Sequence, residues 1–237
     1  MVPTDRSGGP TGGAQGVTAE IQSSREKILD VAEALFARRG YSGVGLREVA
    51  DLAGLSKSSL FHHFPGKVQL YCEVMHRALA RMDERLRPAL DAAGGVPERL
   101  DRWVDALIDG LAEHPPTARL LLRGLVEDES LPPEADDLPE ARAAECVLAS
   151  ILGGIRSLIR AGVERGELRP VSAAHTIQTL VGATVYHFAS GELGEGLLGR
   201  PLLSAEAVRA RRDEVRQLLH QGLLPAPEAP RDSGGTP

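Results

Sequence analysis

Aromatic residues are scarce in this sequence of 237 residues, since Phe, Trp and Tyr together make up only 3% of it. The core must therefore be built mainly from Leu, Val, Ile and Ala side chains. Leu, Ala, Arg and Glu are abundant and alternating β-branched runs are few, so the composition predicts an all-α fold. A content of 42% hydrophobic and 25% charged residues is ordinary for one large or two modest soluble domains.

Cysteine is almost absent. Cys72 and Cys146 are isolated, with no C-x-x-C pattern, so we expect neither a disulfide framework nor a metal site. The N-terminus lacks the apolar region of a secretory signal, and the expected location is the reducing cytoplasm. Segment 170–191 has no charged residue and is long enough for a membrane span, but its His, Thr, Gln and Ser residues favour a helix buried between protein surfaces.

Common catalytic motifs are also lacking. The sequence contains no H-E-x-x-H pattern, no P-loop and no nucleophile elbow, and its carboxylates fall on polar faces or in loops. Segment 194–199 matches G-x-G-x-x-G, but no strand precedes it, so we expect a loop between helices. We predict no catalytic residues and no cofactor. An all-helical enzyme and a helical scaffold that binds only proteins remain as alternative functions.

The most informative stretch is 46–67, LREVADLAGLSKSSLFHHFPGK. Apolar residues at helical spacing predict a short helix from Leu46, and Gly54 follows it where a left-handed backbone is easiest for a residue without Cβ. Ser56 is a good N-cap for a second helix over 57–63, and Pro65 ends that helix. The pattern predicts a helix-turn-helix over about 45–64.

The second of these helices is predicted to turn Leu60 and Phe64 inward. Its outward face then carries Lys57, Ser58, Ser59, Phe61, His62 and His63. Such a set suits the major groove of DNA, where hydroxyls and other donors read base edges and cations meet phosphates. An ordinary helical hairpin, with no nucleic-acid role, is the alternative for this pattern.

The formal net charge of −6 is unexpected for a protein that binds DNA. Segment 22–76, however, carries seven Lys or Arg residues against six acids, so the negative charge belongs to the rest of the chain. The distribution permits an acidic body held away from the phosphates. We expect few direct ion pairs with DNA and an appreciable salt dependence.

Segment 24–78 resembles the N-terminal DNA-binding domain of the tetracycline-repressor (TetR) family. The matching pieces are ILDVAEALFARRGY, LREVADLAGLS and LFHHFPGKVQLY. The resemblance implies a three-helix DNA-binding domain over 23–70, followed by a larger helical ligand-binding and dimerisation bundle over 71–222. We expect a disordered arm over 1–22 and a disordered tail over 223–237.

The resemblance also implies roles for the DNA-facing residues. Lys57 and Ser58, at the start of their helix, are expected nearest the base edges, and His62 could contact bases or backbone. Lys67, beside the N-terminus of the next helix, is expected to hold a phosphate. Backbone or sugar contacts are also expected from Ser59, Phe61 and His63. Relatives carry a threonine where this chain has Gly45 and Leu46, and Arg47 or Ser42 is expected to replace its phosphate contact.

Beyond the DNA-binding domain, amphipathic patterns predict helices over about 67–87, 97–113, 116–128, 139–165, 172–190 and 204–221. By resemblance, the last two pair with those of a second subunit, and the homodimer binds a roughly palindromic operator until a small-molecule effector releases it. The candidate effector contacts are Trp103, His114, Arg123, Cys146, His175 and Tyr186. The many Leu and Val residues favour an apolar effector.

Overall fold

The computed structural model describes residues 13–126, 135 and 137–225, and within this part of the chain the secondary structure is helical, with no strand. Ten helices follow one another in these residues. They are α1 (Gly13–Arg39), α2 (Leu46–Leu52), α3 (Lys57–His63), α4 (Lys67–Asp91), α5 (Val96–Glu113), α6 (Pro115–Val126), α7 (Pro139–Glu164), α8 (Ala173–Ala189), α9 (Glu192–Leu198) and α10 (Ala205–Leu223). The predicted all-α class is confirmed.

Helix α1 begins earlier than the sequence suggested. Residues 13–22, which we expected to belong to a disordered arm, continue the helix, so Ser23 lies inside α1. The reason is local: no proline interrupts residues 13–22, and Ala, Gln and Glu are good helix formers. The rest of the predicted arm, the acidic segment around 127–134 and the tail beyond residue 225 lie outside the described residues.

The first three helices enclose a small apolar core together with the beginning of α4. Phe36 of α1 stacks near Tyr41, and its ring contacts the edge of Tyr71 of α4 at a centroid distance of 5.0 Å. Val74 and Ala78 of α4 complete this core, and so does Leu120 of α6, which is fully buried in it. Two elements of the larger bundle therefore reach directly into the core of the N-terminal unit.

A second core fills the bundle formed by α4, α5, α7, α8 and α10. Helix α4 runs along α7 for much of its length and continues to Asp91, past the predicted end, with Pro88 accommodated in its last turn. Helix α10 is tied to α5 by ion pairs from Arg212 and Arg216 to Asp105. Because α4 belongs to both cores, it connects them mechanically.

The G-x-G-x-x-G segment forms a short helix, so its prediction as a loop was wrong. Gly191 precedes α9 with φ +56°, and Gly199 ends it with φ +65°, in the left-handed region that favours glycine. Gly194 is packed so closely that an added Cβ would clash with Oγ of Ser190. The glycines thus serve helix termination and close packing.

Helix α8, the uncharged segment, is 17 residues long. The helix that is long and apolar enough to span a membrane is α7, the one such helix in the described part of the chain. Helix α7 buries Ile151, Ile155 and Ile159 in the bundle core and exposes Arg156 and Arg160. A core helix of a soluble protein has the same properties, so length and composition alone are a weak indication of a membrane span.

Candidate DNA-binding interface

The turn between α2 and α3 has the predicted geometry. Gly54 adopts φ +69°, and the amide of Leu55 donates to the carbonyl oxygen of Ala50 at 2.9 Å, which closes the end of α2. Ser56 then caps α3, because its Oγ accepts a hydrogen bond from the Ser59 amide at 3.1 Å. Helix α3 begins at Lys57 and ends at His63, the bounds that the sequence predicted.

The register of α3 is fixed by its buried side. Leu60 is fully buried and Phe64 is 3% exposed, both in the N-terminal core, as predicted. Lys57, Ser58 and His62 consequently lie on the exposed face of the protein. Phe61 is 39% exposed, a large fraction for an aromatic ring, and the Lys57 ammonium lies 5.5 Å from its centroid.

Two of the predicted contact residues on α3 are less exposed than the others. Ser59 and His63 are half-buried, with the His63 ring between those of His62 and Phe64. Burial lowers the pKa of His63, and the positive charges that His62 and Arg25 can carry lower it further. A lowered pKa favours the neutral imidazole of His63 near pH 7, a form that can make a hydrogen bond but carries no charge.

Lys67 is held at the N-terminus of α4, close to α3. Its ammonium lies 4.4 Å from the centroid of the Tyr41 ring and 3.4 Å from the carbonyl oxygen of Ser42. Gly66, the N-cap of α4, offers no side-chain acceptor to the first amides of that helix. A fixed cation beside these amides is a suitable arrangement for a phosphate oxygen.

Arg47 is exposed on α2, the helix that precedes α3 and packs against it. Its neighbour Glu48 is engaged by Arg39 of α1, with Nη2 and Oε1 2.6 Å apart. This pairing neutralises an acid that would otherwise repel phosphates. Helix α3 itself contains no acidic residue, so the exposed surface formed by α3, Arg47 and Lys67 combines cations, hydroxyls and imidazoles. We call it the reading surface.

The six predicted effector contacts do not come together. Trp103 and Tyr186 line a cavity of about 480 Å³ in the bundle, which α4, α5, α6, α7 and α8 enclose. His114 lies in a separate recess beside Arg81 and Arg85, and His175 lies in a groove between α8 and α10. The predictions for these two residues as contacts in one pocket with Trp103 were therefore wrong, because they occupy other faces of their helices.

Arg123 and Cys146 are also placed away from the cavity. Arg123 reaches the end of α1, where its Nε is 3.4 Å from the carbonyl oxygen of Ala37 and its Nη2 is 3.3 Å from that of Arg38. Cys146 is exposed on the outer side of α7. Helical rotation explains both corrections, because each side chain lies on the side of its helix that faces away from the cavity.

The residues that form the cavity wall are mostly Leu, Ile, Val and Met, and no sequence pattern distinguishes them from core residues. The wall includes Leu79, Met82, Leu86, Leu107, Leu121, Leu122, Leu148, Ile151, Ile177, Val181 and Val185. In a sequence, a leucine that lines a cavity has the same helical spacing as one that fills a core. Only the packing of the five helices shows which leucines line the cavity and which fill the core.

A capped polar helix that follows a glycine turn, in a protein whose described secondary structure is helical, defines a helix-turn-helix protein. Residues 28–74 match the family described as "Bacterial regulatory proteins, tetR family", and residues 97–219 match "Tetracyclin repressor-like, C-terminal domain". The second match alone covers more than half of the chain. The chain therefore belongs to the TetR family of bacterial regulatory proteins.

Its relatives include both a transcriptional repressor and a transcriptional activator. The chain is 32% identical over 98 residues to the HTH-type transcriptional repressor KstR2 of Mycobacterium tuberculosis, covering 41% of this chain and 49% of that one. It is 35% identical over 101 residues to the transcriptional activator FasR of Mycolicibacterium smegmatis, covering 42% and 46%. The matched segment thus spans about half the length of these curated relatives.

Solved structures extend the similarity over most of the fold. The structure of KstR2 superposes with a TM-score of 0.67 at 21% identity, covering 85% of this chain and 95% of that one. PfmR from Thermus thermophilus, a TetR family regulator, superposes with a TM-score of 0.66 at 25% identity, covering 85% and 98%. These relatives are transcriptional regulators and not enzymes.

Proposed function

We propose that this chain is a sequence-specific DNA-binding transcriptional regulator, most simply a cytoplasmic repressor. The observation that carries the proposal is the reading surface: Lys57, Ser58 and His62 stand exposed on a helix whose opposite side is locked into the core by Leu60 and Phe64. A helix with this asymmetry can enter the major groove without losing its own packing. Lys67 and Arg47 flank it at positions suited to phosphates.

The proposal includes a homodimer. Helix α8 carries no charged residue, and α8 and α10 border an apolar groove of about 430 Å³. Large apolar side chains remain exposed nearby, with Leu218 of α10 at 62% and Tyr186 of α8 at 50%. Exposed apolar surface of this extent favours burial against a second copy, through α8 and α10. Two reading helices related by a two-fold axis then fit a palindromic operator with half-sites about one helical turn or more apart.

The bundle cavity supports release by a small molecule. Leu120 of α6 is buried in the DNA-binding core, whereas its neighbours Leu121 and Leu122 line the cavity. Helix α4 has the same arrangement, with Ala78 in one core and Leu79 against the cavity. A ligand that displaces either helix must therefore displace the DNA-binding core. A coupling of about 1–3 kcal/mol is typical of such linked sites.

A binding titration tests the proposal. Purified protein is titrated into a fluorescent duplex taken from the DNA upstream of its own coding sequence, at several KCl concentrations, with an unrelated duplex of equal length as control. We expect tighter binding to the upstream duplex, and an affinity that falls linearly on a logarithmic salt scale because cations are released from phosphates. Absence of binding, or binding that salt does not change, would favour a helical enzyme or protein scaffold.

A further inference from the structure

Lysine is rare in this chain. Of the 27 Lys and Arg residues only three are lysines, namely Lys27, Lys57 and Lys67. Lys27 is exposed on α1, whereas the two lysines of the reading surface each lie over an aromatic ring, Lys57 over Phe61 and Lys67 over Tyr41. Aromatic residues make up only 3% of the sequence, so the presence of two such pairs on one surface calls for a physical explanation.

The contact between Lys67 and Tyr41 is the closer of the two. The Lys67 ammonium lies 4.4 Å from the ring centroid, well inside the roughly 6 Å within which an aromatic ring attracts a cation. Both residues are half-buried, so salt and water screen the attraction less than at an exposed site. In the other pair the distance is 5.5 Å, and both Lys57 and Phe61 are exposed. Lys67 is therefore held more firmly by its ring than Lys57.

The Tyr41 ring is fixed in turn by the core of the N-terminal unit. The ring of Phe36 is stacked with it at a centroid distance of 6.3 Å, and the Tyr71 ring meets it edge to face at 5.2 Å. Phe36 is fully buried and Tyr71 is nearly so. The carbonyl oxygen of Ser42, the next residue, lies 3.4 Å from Nζ of Lys67. The turn after α1 thus supports the ammonium at two points, and the packing of three aromatic rings keeps that turn in place.

Support of this kind matters because a lysine side chain is flexible. Its four-carbon stem loses rotamer freedom when the ammonium is fixed, and a side chain that is ordered only on binding lowers the affinity. A side chain that the folded protein already orders avoids this loss. An ammonium has three N–H donors, and the Ser42 carbonyl accepts from one of them, so the ring contact is compatible with a phosphate oxygen beside the N-terminus of α4.

We propose that Tyr41 is a positioning residue for DNA binding, whose ring holds the Lys67 ammonium where the phosphate must meet it. Tyr41 acts through Lys67 and makes no base contact of its own. The ring supplies the attraction and the hydroxyl does not, so phenylalanine can replace Tyr41 but leucine cannot. This inference rests on the proposed function, because it requires Lys67 to bind the DNA backbone.

The geometry is tested first by NMR. The full-length protein is labelled with carbon-13 lysine, which gives one ε-methylene carbon signal for each of the three lysines. Protons over the face of an aromatic ring resonate upfield, so the Lys67 signal should lie upfield of that of the exposed Lys27. It should remain there in Tyr41→Phe and move to the Lys27 position in Tyr41→Leu. It should also stay upfield when the unaltered protein binds its upstream duplex.

A double-mutant cycle then tests whether Tyr41 acts through Lys67. Dissociation constants for the upstream duplex are measured for the unaltered protein, Tyr41→Leu, Lys67→Ala and the double variant, at a temperature at which circular dichroism shows all four folded. Tyr41→Leu alone should weaken binding about threefold to tenfold per half-site, the loss expected when one long side chain must be ordered on binding. In the Lys67→Ala background the same substitution should change the affinity by about twofold at most. Tyr41→Phe, the matched control, should bind like the unaltered protein.

The proposal is overturned by a Lys67 signal at the Lys27 position in the unaltered protein, by loss of the upfield shift on binding DNA, or by a Tyr41→Phe affinity as low as that of Tyr41→Leu. Equal losses from Tyr41→Leu in both backgrounds also overturn it, because a purely structural role predicts them. If Tyr41→Leu does not fold, the Lys67 signal of the unaltered protein, free and bound to the duplex, decides. If the unaltered protein binds the duplex and these tests fail, the proposed function stands and Tyr41 has no part in it.

Discussion

Glu33 of α1 and Arg77 of α4 form an ion pair between the DNA-binding core and the helix that continues into the bundle, with Oε2 and Nη2 2.7 Å apart. The second oxygen of Glu33 accepts from Arg81, which also lies 3.4 Å from the hydroxyl of Thr117 on α6. Burial alone would raise the pKa of Glu33, but the hydrogen bonds and charges of Arg81 and Arg77 outweigh it and hold the pKa below its ordinary value. The buried carboxylate thus joins α1 to α4, and Arg81 extends the link to α6.

The first prediction concerns this carboxylate. Glu33→Gln removes the buried carboxylate shared by Arg77 and Arg81, and only the more exposed Glu26 and Asp30 still pair with Arg77. The free energy of unfolding should therefore fall by roughly 3 kcal/mol, the low end for breaking a buried pair. Asp30→Asn is the matched control, because Asp30 also contacts Arg77, at 2.8 Å, but is 72% exposed. That variant should lose less than about 1 kcal/mol. Urea unfolding curves measure the free energy of unfolding of both variants. Equal losses would show that Glu33 contributes no more to stability than the exposed Asp30.

The second prediction concerns pH and His187 of α8. Burial, with a smaller effect from the charge of Arg211, lowers the pKa of His187 to about 4. Unfolded chains protonate histidine near pH 6.5, so between these values the unfolded state binds the additional proton and stability must fall as pH falls. Carboxylates titrate in both proteins, so the comparison with His187→Gln isolates this group.

Thermal unfolding from pH 7.5 to 4 provides the measurement. The unaltered protein should lose stability relative to His187→Gln as the pH falls below about 6.5. A constant difference between the two proteins over this range would show that the folded state protonates His187 as readily as the unfolded one.

The third prediction concerns Arg123 of α6, which donates to the last carbonyls of α1. Arg123→Ala removes these hydrogen bonds and a cation from the negative end of the α1 dipole, and should reduce stability by about 1 kcal/mol. Amide exchange in the last turn of α1 should accelerate. Arg38→Ala is the control, since the Arg38 side chain is exposed and its carbonyl is unchanged. Similar amide exchange rates in the last turn of α1 in both variants would show that Arg123 does not link α6 to α1.

Sequence reasoning was most successful where the structure is determined locally. Gly54, Ser56 and Pro65 each set the backbone within one or two residues, so the bounds of α3 and the inward positions of Leu60 and Phe64 could be predicted. The segment around Gly194 was predicted incorrectly. Its glycines suggest a loop, whereas Gly194 lies buried close to Leu202 inside a short helix, and local patterns do not show that packing.

The cavity could be predicted only in part, because it depends on how helices rotate against one another. Trp103 and Tyr186 line the cavity, while their role as effector contacts stays a prediction, and the cavity wall is apolar. Arg123 and Cys146 were chosen for their chemistry, and neither helix faces the cavity at that position. The residue type indicates which interactions a side chain can make, but tertiary packing decides whether that side chain faces the cavity.

The fourth prediction concerns the dimer. Leu218→Glu places a charge on the most exposed apolar position of α10 and should shift the protein toward monomer in sedimentation velocity runs. Because two linked reading helices bind more tightly than one, affinity for a palindromic duplex should fall about tenfold or more. Ser150→Glu, on the exposed side of α7, is the control and should change neither quantity. A dimer that survives Leu218→Glu would place the interface elsewhere.

The central claim is that α3 reads bases while Lys67 holds the backbone. Its most direct test is the affinity of the unaltered protein, Ser58→Ala and Lys67→Ala for a series of duplexes that differ by single base pairs in each half-site. Lys67→Ala should weaken binding to all of them by a similar factor, since a phosphate contact carries no sequence information. Ser58→Ala should instead change the order of preference. If both variants lose the same affinity on every duplex, α3 does not read the sequence as described.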